Sequence, residues 1–315
     1  MKSEWIWPPL LMLAAILVTP WFGSEIVPPS ALADPAEYVI FAEFRIPRLI
    51  LGLLAGASLS VAGCLFQAIL RNPLASPYTL GVSSGAALGA VIMIFLDVAW
   101  IWTGSALGAA GALALMASIF VRQRRISATG LVLAGVSITS VCSSFIILLQ
   151  SISGFAKSFS VTTWLVGAVE SVSVSAIAIY AAVTLPLMIW IIWKAPDWDL
   201  LSMGESWAAS RGVPVRTLMV QACIAGSILT AATVSMTGPI GFVGLLVPHM
   251  VRHYAGASNR RVLPAVFFCG AAFLVCCDAI ARTVLRPAEI PVGVITALIG
   301  GPGLIWILRG SRSEV

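Results

Sequence analysis

The sequence predicts an all-α polytopic membrane protein of about ten transmembrane helices. Three observations carry that prediction. Hydrophobic residues make up 59% of the 315 and charged residues only 10%, where a soluble domain carries about 25% charged residues. The mean hydropathy is +1.01, too apolar for a surface that must face water on all sides. Apolar runs long enough to cross ~30 Å of hydrocarbon as helices recur along the whole chain, and basic residues fall unevenly between alternate connections.

The runs are read in order as one transmembrane domain over 1–315. The first, 6–22, follows a single basic residue, Lys2, and Ala31-Leu32-Ala33 resembles a signal cleavage site. Its apolar stretch ends near Val18, too far upstream for cleavage, so it is expected to stay as a span. The second, 47–70, contains Gly52-Leu53-Leu54-Ala55-Gly56, a GxxxG face that admits a neighbouring helix closely. Pro73 and Pro77 interrupt the helical pattern and read as a rigid hinge. In the third run, 78–96, Gly81, Gly85 and Gly89 repeat the four-residue step, and packing within one subunit is the expected use. The fourth and fifth runs are 100–121 and 130–150. The connection 151–172 is ambiguous, with Trp164-Leu165-Val166-Gly167 readable as a short helix at the surface. The last five runs are 173–193, 216–236, 239–257, 262–284 and 291–308.

Threading ten helices from a cytoplasmic N-terminus puts 13 of the 18 basic residues on the inner side. These are Lys2, Arg71, Arg122, Arg124, Arg125, Lys194, Arg211, Arg216, Arg252, Arg260, Arg261, Arg309 and Arg312. Arg45, Arg48, Lys157, Arg282 and Arg286 fall outside. The asymmetry places both termini in the cytoplasm. The net charge of +5 is spread over membrane-flanking loops and forms no single patch, which excludes nucleic acid as a partner. The six cysteines lie in apolar runs without a CxxC and read as small buried hydrophobes, Cys276 and Cys277 included.

Several chemistries are missing. No GxxxxGK[ST] occurs; Ser151 to Ser158 comes nearest but lacks both glycines. There is no HExxH and no nucleophile elbow. Acidic residues within the apolar runs are scarce, which disfavours an ion-coupled secondary transporter. Asp278 is the clearest exception, and Arg282 four residues later reads as its neutralising partner. His249 and His253 share the HxxxH spacing of a metal clamp. No acidic or sulphur ligand lies near them in sequence, and Arg252 between them repels a cation, so no metal is expected. His249 is instead expected to hydrogen-bond across the kink after Pro248, with His253 at the cytoplasmic surface.

Five stretches resemble one family in its own order: RIPRLILGLLAGASLSVAGCLFQAILRNPLASPYTLGVSSGAALGA (45–90), LVLAGVSI (131–138), LLSMGESWAASRGVPV (200–215), TGPIGFVGLLVPHMVR (237–252) and DAIARTVLRPAEIPVGVITALIGGPGLIWILR (278–309). The chain resembles the permease subunits of ABC importers for iron–siderophores, haem and cobalamin. The resemblance implies the type II ABC importer permease fold and a homodimer, or a heterodimer with a similar permease, with the pathway on the dimer axis. It also implies two ABC ATPase subunits on the cytoplasmic side and a periplasmic or lipid-anchored substrate-binding protein outside. The implied location is the bacterial inner membrane. The permease would perform no covalent chemistry and hold no cofactor, because the partner ATPase hydrolyses ATP.

Family roles are placed on matching positions. The loop 194–215 resembles the ATPase-coupling segment, with Gly204, Glu205, Ala208 and Gly212 in register. The family usually has Leu where Arg211 stands, and Trp207 is large for an interface of this kind. Arg45, Arg48 and Arg282 match positions that dock carboxylates of the binding protein, a task for which the bidentate, permanently charged guanidinium is suited. Asn72 and Leu74 match the cytoplasmic gate. Its second element falls on Ser127-Ala128-Thr129, where Ala128 departs from a polar pattern. Ferric siderophore is the expected cargo, with cobalamin or haem as the alternative.

Overall fold

The computed structural model describes residues 6–23, 34–122 and 128–310. The expectations on Lys2, Ala31-Leu32-Ala33, Arg124, Arg125, Ser127 and Arg312 lie outside the described residues. Every described element is helical. Helix α1 (Trp7–Val18) ends in a tight turn at Thr19–Trp21. Helix α2 (Pro35–Ile40), a wide π-helical turn (Phe41–Arg45) and α3 (Ile46–Leu70) run on as one element. Then follow α4 (Val82–Phe95), α5 (Ile101–Arg122), α6 (Ala128–Ile152), α7 (Phe155–Val166) and α8 (Val174–Trp193). Two short helices, α9 (Ala195–Met203) and α10 (Glu205–Ser210), precede α11 (Val215–Thr237), α12 (Val243–Ala255), α13 (Asn259–Thr283) and α14 (Val292–Gly310).

A helix lies over each predicted run, but ten full-length spans are not formed among the described residues. Six helices are long and apolar enough to cross a membrane: Glu37–Leu70, Ile101–Ile119, Ala128–Ile152, Val174–Trp193, Val215–Thr237 and Asn259–Thr283. Trp7–Trp21, Val82–Phe95 and Val292–Trp306 are shorter apolar helices, and α12 has only 13 residues. At 1.5 Å per residue the 14 residues of α4 reach only about 21 Å. Proline and glycine cause the shortening. Pro73 and Pro77 keep 71–81 non-helical, Gly238 and Pro239 delay α12, and Pro287 and Pro291 delay α14. The connection 151–172 resolves into the 12-residue α7, longer than the Trp164–Gly167 segment suggested.

Helix α3 is the axis of the bundle. Its most apolar window is 83% buried, against 22% for that of α6. Helices α8, α11, α12 and α13 pack around α3. Glycines set the closest approaches, as the GxxxG reading expects. A Cβ on Gly56 would strike the Gly270 carbonyl of α13, and one on Gly63 the Gly244 backbone of α12. Gly85 and Gly89 likewise meet Gly108 and Gly104 of α5. Five cysteines are buried, but Cys276 is exposed on α13, contrary to the reading of all six as buried. It directly precedes the buried Cys277, and the roughly 100° turn between successive helical residues carries it out of the packed face.

Candidate functional site

The segment 194–215 folds into a two-helix knob. Trp198 is fully buried, and its indole N–H donates to the Ile191 carbonyl at 2.8 Å, fixing α9 against the end of α8. Gly204 separates α9 from α10 at φ +131°, a conformation that side chains other than glycine rarely adopt. Ala208 is the buried residue of α10 and packs into the main core, and Gly212, at φ +80°, turns the chain toward α11. Glu205 faces outward and pairs with Arg71 at 3.3 Å. Trp207 is 46% exposed. The Arg211 guanidinium lies 4.7 Å from its ring centroid, so the two departures from the family pattern form one cation–π pair.

The hinge between α3 and α4 is held at several points. The Asn72 side chain accepts from the Leu74 N–H at 2.9 Å, an Asx turn that leaves Leu74 exposed. The Tyr78 hydroxyl donates to the Ile240 carbonyl, and Pro77 packs against Gly244. Ala128 and Thr129 open α6, Ala128 half-buried against the main core and Thr129 exposed. Among the described residues no hydrogen bond joins Ala128 or Thr129 to Asn72 or Leu74.

At the far end of α3 the three predicted arginines come together. Arg45 donates to the Pro20 carbonyl at 2.9 Å. Arg48 forks, with Nη2 on Asp278 Oδ1 at 2.9 Å and Nη1 on Glu289 Oε2 at 2.8 Å. Arg282 Nε reaches Asp278 Oδ2 at 3.0 Å. The Asp278–Arg282 pair read from the sequence is present, but Asp278 also holds Arg48, 230 residues away. Arg45, Arg48, Arg282, Glu289 and Ser171 line a cavity of about 220 Å³.

Two features escaped the sequence reading. Ser137, Ser140, Ser144 and Ser151 form an exposed stripe on α6, each hydroxyl donating to the carbonyl four residues earlier at 2.8–2.9 Å. Their spacing of three, four and seven residues is a one-face pattern legible in the sequence. The second is Asp199 on α9, which accepts from the Ser258 hydroxyl at 2.9 Å and the Asn259 backbone N–H at 2.5 Å. No sequence signal links it to a segment 60 residues away.

His249 is half-buried and His253 exposed on α12. His253 meets Tyr254 edge-on at 5.2 Å. The hydrogen bond expected of His249 is not formed among the described residues, because its helix continues through Pro248 without a break for the ring to bridge. Among those residues no three His, Cys, Asp or Glu side chains converge as metal ligands.

The knob and the arginine cluster stand at opposite ends of the same helices. Helix α3 carries Arg48 near one end and Arg71 just past the other, and α13 begins at Asn259 and carries Arg282 in its last turn. These two clusters therefore mark the two ends of a multi-pass helical membrane protein. The chain belongs to the FecCD transport family, whose profile matches residues 10–310. It is 39% identical over 292 residues to the uncharacterised ABC transporter permease YvrB of Bacillus subtilis, covering 89% of this chain and 82% of that one. It is 33% identical to the hemin transport permease HmuU of Yersinia pestis, covering 89% and 86% of the two chains. Identity to the vitamin B12 import permease BtuC of Klebsiella pneumoniae is 34%, covering 97% and 93%. A solved structure described as an inward-facing conformation of a metal-chelate type ABC transporter superposes with a TM-score of 0.90 at 29% identity, covering 98% of this chain and all of that one.

Proposed function

We propose that the chain is the membrane-spanning subunit of an ABC importer for a metal chelate. Ferric siderophore is the first cargo to test. The observation that carries the reading is a compact two-helix knob at one end of α3 and α13 and an arginine cluster at the opposite end. Two copies, or this chain and a similar permease, enclose the pathway. Two separate ATPase subunits dock on the knobs inside, and a binding protein docks outside, with both termini cytoplasmic. Gly204, Glu205, Ala208 and Gly212 shape the ATPase contact. Arg45, Arg48 and Arg282 receive carboxylates of the binding protein. Asn72 and Leu74, with Ala128 and Thr129, close the cytoplasmic side. Haem or cobalamin is the second reading, favoured by the relatives whose names carry those cargoes.

The serine stripe of α6 supplies a wall for the pathway. Its helix is the least buried of the six long spans, so a polar face there would otherwise meet lipid. Each hydroxyl proton is tied to its own helix, so the wall presents oxygen lone pairs to a passing chelate. Transport then follows alternating access, in which ATP binding and the loaded binding protein stabilise different arrangements of the two faces.

The test is ATP-dependent uptake into vesicles holding the permease, its ATPase and the loaded binding protein. The three ligands are a ferric siderophore, haem and cobalamin. Uptake of one, lost on Arg45→Glu, supports the reading and names the cargo. Arg45 is preferred because Arg48→Glu would face the buried Asp278. Glu205→Arg is expected to abolish uptake while the protein still folds, and unchanged uptake would remove the coupling assignment. A complex that assembles yet carries none of the three ligands would overturn the cargo assignment.

A further inference from the structure

Helix α13 begins without a cap of its own. Ser258 occupies the capping position in an extended conformation, but its side chain accepts no hydrogen bond from the first turn. The first backbone N–H groups of a helix need an acceptor, and the helix N-terminus favours a negative charge. Both needs are met from another element. Asp199 Oδ1 accepts the Asn259 N–H at 2.5 Å, and Oδ2 accepts the Ser258 hydroxyl at 2.9 Å. Asp199 lies on the first helix of the knob, and its neighbour Trp198 locks that helix in place. The buried Asn259 side chain continues the contact, accepting from Arg252 of α12 at 2.9 Å.

A second polar tie between the knob and the chain just past α3 is Arg71–Glu205, with both side chains about 40% exposed. Exposed pairs of that kind contribute little. The Asp199 contact is partly buried and joins a carboxylate to two donors at once, which makes it the firmer grip. The gripped helix has 25 residues and spans about 37 Å without interruption, Pro264 included. At its far end it carries Asp278 and Arg282, the centre of the outer ionic cluster.

We propose that Asp199 is the positioning residue through which the knob holds α13, so that displacement of the knob is delivered along that helix to the outer arginine cluster. This rests on the importer reading above and deepens it. Asp199 does not touch the cargo. It provides a route between the two faces that is separate from α8 and α11, which the knob joins covalently. Asn259 and Arg252 extend the grip to α12, so α12 and α13 move with the knob together.

A structural role alone would be to cap α13, and that role can be restored locally. Asp199→Ala removes the grip; adding Ser258→Asp gives α13 a cap from its own chain, where Asp is among the preferred residues. Three readouts are taken on the assembled complex: thermal unfolding, binding-protein-stimulated ATP hydrolysis and ATP-dependent uptake. Asp199→Ala is expected to lower the unfolding temperature and to reduce both activities at least tenfold. In Asp199→Ala/Ser258→Asp the unfolding temperature returns to that of wild type, while stimulation and uptake stay at least tenfold down. Recovery of activity together with stability would overturn the proposal and leave Asp199 as a cap only. If capping fails to restore stability, Asp199→Asn decides: it keeps one acceptor oxygen and the side-chain shape. Wild-type stimulation in that variant overturns the proposal, and a tenfold loss at wild-type unfolding temperature supports it. A wild-type complex that shows no stimulation at all would overturn the importer reading itself, and this inference with it.

Discussion

Asp278 accepts from two guanidinium groups while only 6% of its side chain is exposed. A buried charge is tolerable when paired, and removing one partner strands the others. Asp278→Ala leaves Arg48 and Arg282 facing each other and is expected to cost about 3–5 kcal/mol, read as a fall in thermal stability in detergent. Glu289 is 41% exposed and pairs with Arg48 at the rim of the cluster, so Glu289→Gln should shift the same transition far less. On the knob, a double-mutant cycle of Trp207→Ala and Arg211→Leu is expected to show a coupling of about 0.5–1 kcal/mol, typical of an exposed cation–π pair. Local pairs were legible in the sequence because four residues make one helical turn, as with Asp278 and Arg282. Arg48 joining them was not, since nothing in its neighbourhood names a partner 230 residues away. The exposure of Cys276 was equally hidden, because an apolar run does not say which face meets lipid.

At the scale of elements, hydropathy located the helices and proline and glycine decided their lengths. The runs at 78–96 and 239–257 lost residues to the loops around Pro73, Pro77 and Pro239, and of these the Pro77 ring is buried against Gly244. The short α7 was partly visible through Trp164, while its start at Phe155 had no apolar periodicity to mark it. Glycine patterns were the most legible contacts, and they carry a paired prediction. Gly63→Ala pushes a methyl into the Gly244 backbone and should destabilise the bundle by about 1–3 kcal/mol. Gly111, also within a helix, has nothing within 4 Å of its missing Cβ. There Gly111→Ala should be neutral or stabilise by about 0.5–1 kcal/mol through helix propensity. Thermal melts of the two variants beside wild type check the opposite signs.

For the whole molecule, charge asymmetry gives an orientation that can be tested directly. Met203 is exposed on the knob and Glu289 at the far end of α13. In intact cells, a membrane-impermeant thiol reagent is expected to label Glu289→Cys. Met203→Cys should react only after the membrane is opened. The native cysteines give little background, five being buried and Cys276 lying within a spanning helix. Labelling with the reverse sidedness would invert the threading and move the arginine cluster inside. The fold was legible at this scale because lipid imposes one rule on every span, that backbone polar groups be satisfied within it. The link between the two faces was not legible, because it depends on which helix ends meet across the bundle.

The three-way ionic cluster also restricts how this protein can change over generations. Replacing Asp278 alone leaves two largely buried cations side by side, and replacing either arginine alone takes from the buried Asp278 one of its two guanidinium partners. Each single step lowers fitness through stability before any benefit arises. Substitutions at 48, 278 and 282 are therefore expected to be inherited together or not at all, so divergence at this end of the protein would begin at exposed positions such as 289.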